Sequence, residues 1–250
     1  MGRVAAFPGD GSGFVSRVPP HRFEHPHPGV SEESDLGQGH VRQREATGGE
    51  KGIGAIRESM KMIPDDLISI CDAKRCDIGN SAEYYAVTYL EKYHFDSITL
   101  SPYMGEDSIA PYIKDESKGV YLLALTSNPG AADFQFIKCG YDFLYQSIVD
   151  RCLLLNRNKN IGFVFGANHD KELNKFTSGN PDIPLLIPGV GAQGNEIERL
   201  MTNLKSELFL INSSRGIIYS APKNSSHSEF ENAVNQSTIE LSDKINSLQN

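Results

Sequence analysis

The stretch Cys71-Asp72-Ala73-Lys74-Arg75-Cys76-Asp77-Ile78-Gly79-Asn80 sets two carboxylates and two cations close together, directly after the apolar run Leu67-Ile68-Ser69-Ile70. That run has the length and branching of a buried strand, so the charged cluster begins where the strand ends. Side chains alternate faces along a strand, which points Asp72 and Lys74 the same way. Each holds the other in its charged form, and the C-terminal mouth of a strand is where parallel α/β folds place their chemistry. An ammonium fixed in this way offers a positive charge and a proton at one point, which suits a reaction that builds negative charge on carbon. Taken alone, D-x-K-x-x-D reads equally as a solvated turn, because charges at strand ends are common. Other parts of the chain must decide.

A second group of residues is suited to an anion. Pro188-Gly189-Val190-Gly191-Ala192-Gln193-Gly194 follows an apolar run and opens a helical one, so its amides and the helix N-terminus make a phosphate cradle. It also spells G-x-G-x-x-G. A dinucleotide site would need an acidic residue ending the next strand, yet that strand ends at Asn212-Ser213 and Glu207 lies at its start, which argues against a Rossmann site. Arg215, in Asn212-Ser213-Ser214-Arg215-Gly216, falls on the neighbouring loop, where an arginine fork can grip the same phosphate. Paired loops late in a βα chain form the usual phosphate site of a barrel, although the two also read as unrelated glycine turns. Thr126-Ser127-Asn128-Pro129-Gly130-Ala131 ends another strand and turns Ser127 toward the same mouth, where a hydroxyl can read a polar ring edge. By itself this is an ordinary Asn-Pro-Gly turn.

These groups need a frame, and hydrophobic periodicity supplies one. Strands are predicted at Leu67–Ile70, Ser97–Leu100, Val120–Leu125, Ile161–Phe165, Pro184–Ile187 and Leu208–Ile211. Helical spacing appears at Ile53–Ile63, Ser81–Tyr93, Ser108–Lys114, Tyr141–Leu155, Lys171–Phe176, Glu196–Leu204 and Ser228–Leu248. Six strands with helices between them predict a parallel sheet of the α/β class. A (β/α)8 TIM barrel needs eight such units, so a barrel here would lack its first two βα units or hide them at the front.

Residues 1–50 read differently, with Gly, Pro and His scattered and no sustained apolar period. This segment is expected to be a disordered or non-native leader, and the folded domain is expected over 53–250. His21, His25 and His27 are separated by prolines that break metal-ligand spacing, so no metal site is assigned. The net charge of -8 argues against a protein that tracks nucleic-acid phosphates and favours a discrete anionic metabolite held in a local basic pocket. Cys71, Cys76, Cys139 and Cys152 contain no C-x-x-C pair and read as free thiols of a reducing compartment. There is neither an 18-residue apolar run nor a basic start followed by an apolar core, so no membrane span or secretory signal is predicted and the expected location is cytoplasmic.

Taken in order, the Asp72–Asn80, Thr126–Ala131, Pro188–Gly194 and Asn212–Gly216 segments closely resemble orotidine 5′-monophosphate decarboxylase, in its longer bacterial-type subfamily. The resemblance runs from about Ile53 to the C-terminus, and the four motifs in one order make it specific. It implies a (β/α)8 barrel that forms a homodimer with its sites at the interface, converts orotidine 5′-monophosphate to UMP and carbon dioxide in pyrimidine biosynthesis, and uses no cofactor. It further implies that Lys74 protonates ring carbon 6, that Asp72 presses on the substrate carboxylate and orders the lysine, and that Asp77, with Ile78 and Ser81, serves the partner subunit's site. Ser127 would contact the pyrimidine edge, Gln193 would bridge pyrimidine and phosphate, and Gly194 and Arg215 would hold the phosphate.

The resemblance stops at the front. The family carries a ribose-binding aspartate on its first strand and another lysine on its second, and neither context occurs in residues 1–50. Lys51, the only lysine before Lys61, stands in Gly-Gly-Glu-Lys-Gly and is not assigned that role. Two carboxylates sharing Lys74 alone should repel a substrate carboxylate, so the chain as written is expected to be poorly soluble or nearly inactive. Two other readings stand beside the decarboxylase: a magnesium-dependent sugar-phosphate decarboxylase or aldolase of the same superfamily, and an inactive barrel remnant. Ser127 with Gln193 favours the pyrimidine, because a sugar phosphate has no base to read.

Overall fold

The computed structural model describes residues 3–6, 13–16, 41–64, 67–190 and 194–249, with backbone alone at 3–6, 13–16, 41–48, 194–195 and 215. In chain order the strands are β1 (Arg3–Ala6), β2 (Gly13–Ser16), β3 (Ile70–Arg75), β4 (Ser97–Leu100), β5 (Gly119–Leu125), the two-residue pair β6 (Lys138–Cys139) and β7 (Asp142–Phe143), β8 (Ile161–Phe165), β9 (Leu185–Pro188) and β10 (Phe209–Ser213). The helices are α1 (Val41–Met62), α2 (Gly79–Ala86), α3 (Ala131–Phe134), α4 (Leu144–Leu153), α5 (Asp170–Gly179), α6 (Gly194–Asn203), α7 (Arg215–Ile218) and α8 (His227–Ser247).

The main sheet has the order β1-β2-β10-β9-β8-β5-β4-β3. From β3 to β10 every neighbouring pair is parallel, which gives six parallel strands in an open, curled half-barrel. The strands are short and rich in Ile, Leu, Val and Phe because both faces are covered; all five residues of β8 are buried. One face packs beneath the helices through Ile98, Leu122, Phe163, Leu185 and Ile211. The other carries Ile70, Val164, Leu186 and Leu210, with Tyr121 and Leu123 against them. Next to β10, β2 and β1 form an antiparallel hairpin, and α8 lies against both of its strands. The helix α8 opens on a capping box: the Glu229 N–H donates to the Ser226 hydroxyl, and the Glu229 carboxylate accepts the Ser226 N–H.

Four elements depart from the sequence reading. The opening strand is Ile70–Arg75 and not Leu67–Ile70, so the charged residues lie within the strand. No α-helix forms over Ser108–Lys114: 3₁₀ turns occupy Pro102–Met104 and Glu106–Ser108, and turns follow them. Gly105 at φ 86 and Pro111 interrupt that segment, while Ile109 and Tyr112, both buried three residues apart, mimic a helical stripe. The helix expected over Ser81–Tyr93 is α2 followed by a π-helical turn, Val87–Lys92. The helix expected from Ile53 begins at Val41 and bends at Gly49, whose φ of 51 and ψ of -133 separate two helical pieces.

Candidate active site

Strand β3 carries Asp72 and Lys74 with their charged groups in contact, the lysine ammonium donating to Asp72 Oδ1. Both side chains are partly sheltered, Asp72 at 15% exposure and Lys74 at 30%. The local backbone explains the arrangement. β3 and β4 are in register at Cys71↔Ile98 and again at Arg75↔Leu100, so four steps along β3 match two along β4. The surplus forms a bulge, and Lys74 within it has φ 48, the left-handed region that side chains other than glycine rarely adopt. The Thr99 hydroxyl on β4 accepts the Lys74 N–H at 2.9 Å and donates to Asp72 Oδ1 at 2.8 Å.

Arg75 follows with its guanidinium 4.2 Å from the Tyr85 ring centre and 5.2 Å from that of Tyr89, and it donates to the Tyr89 hydroxyl. Its carbonyl accepts the Ser101 N–H at 2.8 Å. The lysine is therefore flanked by a residue packed against two tyrosine rings and tied to the strand beside it. Tyr112 is buried nearby with its hydroxyl unpartnered, and burial pushes that phenol far above its usual range, with Arg75 and Asp77 close enough to act on it. Asp77 lies just beyond β3, its carboxylate accepting the Ile78 N–H at 2.9 Å, and Ser81 is exposed in the first turns of α2.

The loop after β5 is braced from several sides. Gln135 accepts the Thr126 N–H at 2.8 Å and donates to the Thr126 hydroxyl at 2.8 Å, and the His169 ring meets the Thr126 carbonyl at 2.9 Å. Ser127 is exposed on this loop and sits against the loop after β9: a Cβ on Gly189 would lie 3.4 Å from the Ser127 hydroxyl oxygen. Gly189 itself has φ 91. Gly166 permits the approach of the β8 loop, since a Cβ there would stand 2.8 Å from the Ser127 nitrogen.

On the far side of the sheet Gly194 begins α6 and Arg215 begins α7, one strand apart. Gln193 lies outside the described residues, as do His21, His25 and His27. Lys51 is exposed on α1. Lys74, Asp77, Ser127, Gly194 and Arg215 lie at or after the C-terminal ends of parallel strands, with Asp72 inside β3 in contact with Lys74, and so they share one rim of the sheet. Among the described residues no group of His, Cys, Asp and Glu is arranged to hold a metal ion. Thr99, Arg75 and the Gln135–His169 brace had no distinctive signal in the sequence: a threonine in a strand or a glutamine in a short helix reads as ordinary structure.

A parallel half-barrel with a charged pair and two helix-opening loops on one rim is the architecture of (β/α)-barrel enzymes acting on phosphorylated small molecules. The sequence model of the orotidine 5′-phosphate decarboxylase / HUMPS family matches residues 46–230. The chain belongs to that family. It is 42% identical over 205 residues to the orotidine 5′-phosphate decarboxylase of Dehalococcoides mccartyi (strain CBDB1), a match covering 79% of this chain and 74% of the relative. It is 40% identical over 205 residues to the Ralstonia pickettii (strain 12J) enzyme of the same description, covering 80% of this chain and 73% of that one. Among solved structures it resembles Leishmania donovani OMP decarboxylase with a TM-score of 0.74 at 29% identity, over 84% of this chain and 78% of the other.

Proposed function

We propose that this chain decarboxylates orotidine 5′-monophosphate to UMP and carbon dioxide, with Lys74 as the proton donor. The observation that carries this reading is the Asp72–Lys74 contact on the strand rim of a chain that belongs to the decarboxylase family. Loss of carbon dioxide from a ring sp² carbon leaves a localised carbanion. An ammonium already fixed beside that carbon stabilises the developing charge and then delivers its proton, with no reorganisation needed at the moment of reaction. Asp72 aims the amine, and its own charge lies where the substrate carboxylate must come. Ser127 reads the pyrimidine edge, while Gln193, the Gly194 amide and Arg215 hold the phosphate. Phosphate binding remote from the reacting carbon presses the ring toward the lysine, and that binding energy is expressed in the transition state.

The catalytic domain is assigned to 53–250, with residues 1–50 as a leader; the buried core from Ile56 onward supports that boundary, while the family match from residue 46, the start of α1 at Val41 and the pairing of β2 with β10 extend ordered contacts into the leader. The active form is assigned as a homodimer in which Asp77 and Ser81 reach the partner's site. Supporting this, Ile78 before α2, Tyr84 on α2, and Tyr103 and Met104 after β4 are large apolar or aromatic side chains left exposed. A cytoplasmic location is consistent with four free cysteines and with the finding that no described helix is long and apolar enough to cross a membrane.

The test is loss of orotidine 5′-monophosphate followed by absorbance without added metal, for the wild-type chain, for a form given the family's two N-terminal βα units, and for Lys74→Ala; the first is expected to be nearly inactive. Turnover that disappears in Lys74→Ala supports the reading. Turnover that survives it, or that requires magnesium, overturns the mechanism in favour of sugar-phosphate chemistry. Mixing inactive Lys74→Ala with inactive Asp77→Ala should regain activity if the sites are shared between subunits, and no regain would remove Asp77 from the partner's site.

A further inference from the structure

The contact that fixes the lysine runs through a residue with no role in the scheme above. Thr99 lies in β4 with no exposed surface, between Ile98 and Leu100, which are also fully buried. A hydroxyl in such a place costs desolvation unless it is bonded, and valine would fill the same volume without that cost. Both of its bonds go into the charged pair. The Lys74 N–H can only donate, so the threonine oxygen accepts it at 2.9 Å, and the hydroxyl proton is left for Asp72 Oδ1 at 2.8 Å. That oxygen is the one the Lys74 ammonium also contacts. One hydroxyl therefore ties the main chain of the lysine, displaced by the bulge and held at φ 48, to the carboxylate that aims its side chain.

We propose that Thr99 is a positioning residue that sets the geometry of the Asp72–Lys74 pair, and with it the point at which the ammonium meets the reacting carbon. This rests on the decarboxylase reading, in which Lys74 is the proton donor. Thr99 touches neither the ring nor the phosphate in that scheme, so its removal should slow the chemical step and leave nucleotide binding in place.

Thr99→Val removes both bonds at nearly constant volume, Thr99→Ala removes them with no methyl to accommodate, and Thr99→Ser keeps the hydroxyl. In the valine and alanine variants kcat is expected to fall about 10- to 100-fold, with UMP affinity by calorimetry changing less than about twofold and with the serine variant recovering most of the rate. Acylation of amines at fixed pH, read by mass spectrometry, should label Lys74 faster in Thr99→Val than in wild type or Thr99→Ser when scaled to exposed Lys114. An unchanged kcat in the valine variant, a serine variant as slow as valine, or a loss of UMP affinity that parallels kcat would each overturn the proposal. If neither the wild-type chain nor a form given the family's two N-terminal βα units shows turnover, it is the decarboxylase reading that fails. The acylation comparison still decides whether Thr99 holds the lysine: equal labelling of Lys74 in all forms means it does not.

Discussion

The two halves of the rim are built on different physical principles. On the β3–β4 side the charges are placed by side-chain hydrogen bonds within a bulge, with a lysine in left-handed backbone and an arginine packed on two tyrosine rings. On the β9–β10 side the construction relies on backbone: a glycine at φ 91 and the first residues of two helices. A reacting carbon needs one charge at one point, so its half is over-determined. A phosphate accepts donors from many directions, so helix termini and loop amides suffice. The difference teaches that the unusual backbone and side-chain geometry is concentrated at the β3–β4 end of the rim, and that on the proposed reading a remote anion would be held by generic dipoles.

That contrast can be broken, and the largest effect should come from its reacting half. Lys74→Ala is expected to lower turnover about 10²- to 10⁴-fold while UMP still binds, because a positioned proton donor acts on the transition state. Parallel loss of both would mean the two halves are not separable. On the phosphate half, Arg215→Ala should weaken UMP binding by about 1.5–3 kcal/mol and Ser127→Ala by about 0.5–1.5 kcal/mol, since a charge-assisted bond to a dianion outweighs a neutral hydroxyl contact. Equal losses by calorimetry would contradict the division.

The seam between the halves is tested at Gly166, where an added Cβ would meet Ser127 main-chain atoms 2.8 and 2.9 Å away. Gly166→Ala should destabilise by about 1–3 kcal/mol in denaturant unfolding and shift Ser127, with Lys74 chemistry less affected than pyrimidine binding.

The shared framework beneath both halves has its own alkaline limit. Burial raises the Cys152 thiol from 9.0 to about 11 and the Tyr145 phenol from 10.0 to about 12. Each group is therefore protonated when folded at a pH where the unfolded chain has lost the proton. Their contribution is complete below pH 9.0 and is lost as pH rises toward 11 and 12, so the thermal midpoint should decline across that window. A flat midpoint there would show that these side chains are not held as the structure has them. The smallest effect is expected at Tyr112→Phe: removing a buried, unpartnered hydroxyl should leave stability unchanged or slightly raised in the same unfolding measurement.

The sequence made the frame legible wherever a strand carried no charged residue. Ser97–Leu100 and Ile161–Phe165 were read with the bounds the structure shows, because buried runs flanked by polar turns carry a strong signal. β3 was misplaced for the opposite reason: its last four residues are Asp72, Ala73, Lys74 and Arg75, and charged residues inside a strand look like the loop after it. The spacing of Asp72 and Lys74 announced a shared face, yet the bulge that joins them depends on register with a strand 25 residues later and has no local signature. The helix expected over Ser108–Lys114 failed because the spacing of Ile109 and Tyr112 outweighed the glycine and prolines around it. The pairing of β2 with β10 joins residues nearly 200 positions apart, beyond the reach of any local pattern. The arginine and glycine loops were visible as motifs because helix-opening turns have compositional rules.

The bulge in β3 also lets one short stretch of backbone serve two surroundings. Between two points of normal pairing with β4, the strand contains two residues more than a regular ladder would take. Ala73, within that surplus, has no exposed surface and belongs to the main core, whereas the Lys74 side chain next to it keeps 30% of its surface exposed. The surplus thus turns neighbouring residues apart, one into the packing and one toward the rim.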